Sequence, residues 1–71
     1  MYPNLEAEMK RRNISNDDIA KVLNKGARTV RGKRSGESEF TLNECMMIRD
    51  SFFVSLTIEY LFSKDAIIKT T

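Results

Sequence analysis

Six cations stand between Ile19 and Gly36 with no acid among them: Lys21, Lys25, Arg28, Arg31, Lys33 and Arg34. Closely spaced ammonium and guanidinium groups pair with anionic oxygens, and a run of them on one face is the electrostatic footprint of a polyanion binder. The formal net charge of +2 hides this: residues 1–36 hold nine cations against four acids, residues 37–71 three against six. A basic face can equally be a solvated one, so charge alone leaves both readings open.

Other chemistry is poorly supplied. With no His, activation of a Ser or Cys nucleophile by imidazole is impossible. Cys45 is the sole cysteine, so neither an intrachain disulfide nor a closed zinc site can be built. Gly26 to Lys33 superficially resembles a phosphate loop, but Arg34 stands where Ser or Thr must bind magnesium. A core drawn from 71 residues leaves little room for a pocket of about 300 Å³. The expectation is no enzyme, no metal and no cofactor. The apolar stretches are far shorter than the ~20 residues that span a bilayer. The start, Met1 to Glu6, has no basic region leading an apolar run. With an unpaired cysteine this fits a reducing cytoplasm, and for a DNA binder the bacterial nucleoid.

A chain this short, without staples, needs a compact helical core. The pattern predicts one all-α domain over residues 1–62. Asn4 can cap a first helix, which buries Leu5 and Met9, ends in Lys10, Arg11 and Arg12, and stops at Asn13. Arg11 and Arg12 are expected to satisfy that helix's own last carbonyls. Ser15 and Asp18 form a capping box flanked by Ile14 and Ile19, opening a helix of at most nine residues with Ile19, Ala20 and Leu23 on one face. Asn24-Lys25-Gly26 is a turn whose Asn and Gly both tolerate positive φ. Ala27 to Arg34 is a short polar helix with Val30 its only large apolar residue, closed by Ser35-Gly36. Thr41 and Glu44 make a second capping box, ahead of a helix burying Leu42, Cys45, Met46, Ile48 and one ring of Phe52-Phe53. Met47 and the other ring are left near the surface, the ring as a candidate dimer contact. Ser55 is the expected cap of a last short helix carrying Leu56, Ile58, Leu61 and Phe62. Residues 63–71 read as a mobile or weakly structured tail, in which Ala66-Ile67-Ile68 could instead pair as a strand with a second copy.

Two short helices joined by a three-residue turn, the second basic and tethered by one apolar contact, describe a helix-turn-helix. At Ser15-Asn16-Asp17-Asp18-Ile19-Ala20-Lys21-Val22-Leu23, Ala27-Arg28-Thr29-Val30, Glu39-Phe40-Thr41-Leu42 and Val54-Ser55-Leu56, the chain resembles the phage Cro and lambda-repressor-like domains. The likeness covers about Leu5 to Phe62. It implies a five-helix bundle that binds double-stranded DNA as a homodimer, a small phage or prophage-type (XRE-type) regulator. It departs from the family's pattern at Lys25 and Arg34, which replace apolar plugs, and at Asn24 and Gly26 in the turn. Those departures predict a recognition helix that is loosened, or that is ordered by binding DNA.

On that resemblance Asn16 would bond a phosphate oxygen from the start of the first motif helix, a place where any helix residue could stand. Arg28 is the first choice for reading guanine O6 and N7 in the major groove. Ala27 and Thr29 would meet thymine methyls or phosphates, and Gly32 occupies a groove-facing position where lacking a side chain permits close approach. Lys25, Arg31, Lys33 and Arg34 suit phosphates, which position a protein without carrying sequence information. Each could also be a solvated charge. The alternative is a protein-binding, antirepressor-like module on the same scaffold, with the basic helix merely hydrated.

Overall fold

The computed structural model describes residues 2–64, and those residues form five α-helices and no strand. The helices are α1 (Pro3–Arg12), α2 (Asn16–Leu23), α3 (Ala27–Ser35), α4 (Leu42–Phe52) and α5 (Ile58–Leu61). No helix among the described residues is long and apolar enough to cross a membrane. Ala66-Ile67-Ile68 and most of the expected tail lie outside the described residues.

Side-chain caps set three of the starts. Ser15 Oγ accepts from the Asp18 N–H, and the Asp18 carboxylate accepts from the Ser15 N–H at 2.9 Å. Thr41 and Glu44 reproduce the arrangement at α4. Each box satisfies two donors that a helix start would otherwise leave open. Asn13 and Asn24 take left-handed φ of 56° and 57°, and Gly36 takes 98°, closing α1, α2 and α3. Gly26 does not use its conformational freedom: with φ −79° it is the extended N-cap of α3.

Several local expectations give way to tertiary contacts. Asn4 is not a cap, because α1 already begins at Pro3; its amide instead donates to the Tyr60 carbonyl at 2.8 Å. Arg12 does not serve α1's own carbonyls. It donates to the Phe52 carbonyl at the end of α4 and lies 5.1 Å from the Phe53 ring centroid. Arg11 pairs with the buried Glu8, which also accepts from the Tyr60 hydroxyl, and that bond raises the Tyr60 pKa. Thr57, not Ser55, caps α5, while residues 54–56 form the turn before it.

The core gathers Leu5 and Met9 of α1, Ile19, Ala20 and Leu23 of α2, Val30 of α3, Cys45 and Ile48 of α4, then Phe53 and Leu61. Tyr2, Phe40 and Phe62 close one end as a ring cluster with centroids 5.5–5.7 Å apart. Leu42 and Met46 are corrections: Leu42 is 67% exposed and Met46 is on the surface too. Four residues apart, they share a face with Arg49, whereas Glu44, Cys45 and Ile48 turn inward. Leu42, Leu56, Ile58 and the 78%-exposed Val54 therefore line an open apolar groove.

Candidate nucleic-acid interface

The α2 and α3 helices pack against each other across the turn Asn24–Gly26, and α2 also rests on α4. Val30 is the one fully buried residue of α3. Gly and polar residues elsewhere give this helix little to bury, so it lies on the surface with one side open. Arg28, Thr29 and Arg31 are exposed, and among the described residues neither guanidinium has a hydrogen-bond or ion-pair partner. Ala27 and Gly32 are half-buried, with Ala27 packed against the core. A Cβ built at Gly32 would have only Glu37 Oε1 within 4 Å, at 3.8 Å. Arg28, Thr29 and Arg31 thus share the outward surface of α3, and the Glu37 carboxylate lies beside Gly32.

The remaining cations of the basic run are engaged. Arg34 closes a fork on Glu6 of α1, with Nε to Oε2 at 2.7 Å and Nη2 to Oε1 at 2.5 Å. Its Nη1 donates to Asn16 Oδ1 at the first position of α2. Lys33 donates to Glu44 Oε1 at 2.8 Å and to the Glu39 carbonyl, with its ammonium 5.9 Å from the Phe40 ring centroid. Lys25 reaches the same Glu44 carboxylate at 3.9 Å but is half in solvent. Burial pushes the Glu44 pKa up, but the Lys33 hydrogen bond, the Thr41 N–H and the nearby ammonium charges outweigh it and hold the carboxyl below its ordinary value. Arg34 thereby ties α3 to α1 and α2 at once.

Lys21, which the sequence offered no reason to single out from the other cations, stands exposed beside Lys25, Asn24 and Ala27 on the crevice between α2 and α3. Asp17 lines the same crevice and places one negative charge among these cations. Among the described residues no cluster of side chains suits a metal ion. The expected site residues consequently divide. Arg28, Thr29 and Arg31 are outward and open; Lys25 is partly committed; Lys33, Arg34 and Asn16 belong to hydrogen-bonded networks inside the protein. No family model, characterised protein or solved structure matches this chain.

Proposed function

We propose that this protein binds double-stranded DNA with α3 in the major groove, as a small transcriptional regulator of the phage Cro and lambda-repressor-like helix-turn-helix kind. The observation that carries this reading is the unpartnered pair Arg28 and Arg31 on a helix whose one fully buried residue is Val30. A helix with so little buried bulk and free cations on its outward side fits a groove about 12 Å wide. Arg28, at the second position of α3, suits base reading, while Lys21, Lys25 and Arg31 suit the flanking phosphates. One helix of nine residues reads few base pairs, so useful specificity calls for two copies on a two-fold site. The exposed apolar groove of Leu42, Val54, Leu56 and Ile58, with Arg49 and Glu59 also on its lining, supports pairing with a second copy, since apolar area and both signs of charge lie on one patch.

The test is a titration of labelled duplex at several salt concentrations, followed by selection of bound sites from random duplexes. The expected result is affinity that falls steeply with salt and a selected site made of two symmetric halves. Arg28→Ala should cost about 1–3 kcal/mol at one or two base pairs and relax preference there. Arg31→Ala should weaken all sequences alike and make the salt slope shallower by about 0.9. Equal effects from the two substitutions would overturn these roles. Absence of binding to long duplex at low salt would favour a protein-binding use of the same surface.

A further inference from the structure

On the DNA-binding reading, we infer that Arg34 is a positioning residue: it does not touch phosphate but orients the Asn16 amide so that its two N–H groups face the DNA backbone. A guanidinium has five N–H donors and no acceptor. The atom of Asn16 that meets Arg34 Nη1 must therefore be the amide oxygen, which sets the rotation of the whole group. The amide nitrogen is directed away from Arg34, and among the described residues it has no acceptor. A side chain that could have offered oxygen or nitrogen with equal ease is left presenting donors only. A phosphodiester oxygen, which only accepts, is the complement of that end.

Glu6 makes the arrangement stiff. Both of its oxygens take the other edge of the same guanidinium, a two-bond planar fork that fixes direction as well as distance. The pairing also occupies the Arg34 charge, so little of it is available to a phosphate outside. Because Glu6, Asn16 and Arg34 lie on α1, α2 and α3, one guanidinium sets the start of α2 relative to the end of α3. Two helices that must meet the duplex together are held in one register.

A double-mutant cycle on a mixed-sequence 30-base-pair duplex, read as affinity and as salt slope, tests this. Asn16→Ala should weaken binding by about 3- to 10-fold, the worth of one hydrogen bond, and leave the slope unchanged because no charge is removed. Arg34→Met should weaken binding by the same factor with the slope again unchanged, and the double variant should be no weaker than either single. Arg34→Lys keeps the charge but cannot bridge Glu6 and Asn16 in one plane, so it should behave like Arg34→Met. If Arg34→Met does not fold, Arg34→Lys and the Asn16 side-chain amide resonances decide: these should shift on adding duplex to the unsubstituted protein, and already differ in the free Arg34→Lys variant. Additive losses, or a slope shallower by about 0.9 in Arg34→Met with recovery in Arg34→Lys, would make Arg34 a direct phosphate ligand and overturn the inference. Unsubstituted protein that binds no duplex would sink the DNA reading and this inference together, whereas binding with an additive cycle sinks the inference alone.

Discussion

Cys45 sits at the inner side of α4, and burial first, then the neighbouring Glu44 charge, pushes its thiol pKa up. A thiol both covered and protonated at neutral pH is a poor nucleophile. A disulfide reagent added to native protein should therefore label Cys45 no faster than the chain opens, and in a few molar urea labelling should become rapid; fast labelling of native protein would contradict the burial. This residue was readable from the sequence because a lone Cys among apolar neighbours at helical spacing has few other uses. Arg12 was not. The helix-dipole rule places it correctly at the end of α1 but cannot anticipate a carbonyl donated to from 40 residues away. Asn4 and Arg34 share that difficulty: a side chain with several donors serves whichever acceptor the fold delivers, and Tyr60 and Glu6 become neighbours only after the helices have packed.

Helix starts were legible because a capping box is made of residues three apart, so Ser15-Asp18 and Thr41-Glu44 carry their own geometry. The start of α5 was not, since Ser55 and Thr57 can both cap, and the turn at 54–56 decides between them. Leu42 stands three residues before Cys45 and Met46 directly after it, so helical spacing cannot separate these exposed residues from the buried Cys45 and Ile48; the packed neighbours do. Two predictions belong to elements. In α3, Gly32 costs about 0.5–1 kcal/mol relative to Ala in a helix interior, and a methyl there would meet nothing closer than 3.8 Å. Gly32→Ala should raise the unfolding free energy by roughly that amount and, on the proposed reading, weaken duplex binding if DNA approaches Gly32; a stabilised variant with unchanged affinity would show that DNA does not approach this position. In α4, the Glu44 carboxyl is held below its unfolded value, so its contribution to stability is present above an ordinary carboxylate pKa of about 4.3 and is lost as pH falls through the lower native value. Glu44→Gln should cost about 1–3 kcal/mol at pH 7 by removing the negative charge that Lys33 and Lys25 meet, while an amide oxygen remains to accept. Denaturant titrations near pH 7 and pH 3 should then show a smaller acid-induced loss in the variant than in the parent.

Taken over the whole molecule, the excess of cations in the first half against acids in the second is used partly for the fold itself. Lys33 and Lys25 from the basic run meet Glu44 from the acidic half, tying α3 and the turn before it to α4, whereas Arg34 finds its carboxylate on α1. Charge counting on the sequence registers six cations between Ile19 and Gly36 but cannot divide them between internal and external partners, because that division depends on which carboxylates the packed helices bring near. The division has a measurable consequence. On the proposed DNA-binding reading, if Lys33 and Arg34 keep their carboxylates on the duplex, phosphate contact from this run would fall to Lys21, Lys25 and Arg31, with Arg28 on a base. Each neutralised phosphate contributes about −0.9 to the slope of log affinity against log salt, so three give about −2.7 per protomer. Release of Lys33 and Arg34 would take the slope to about −4.5, and would also leave Glu6 unpaired and the buried Glu44 without Lys33. A buried carboxylate and a half-exposed one, stripped of their cations beside a polyanion, are costly, which favours the shallower slope. A value near the steeper limit in unsubstituted protein would mean that the internal pairs open on binding, and that the helices are rearranged rather than merely docked.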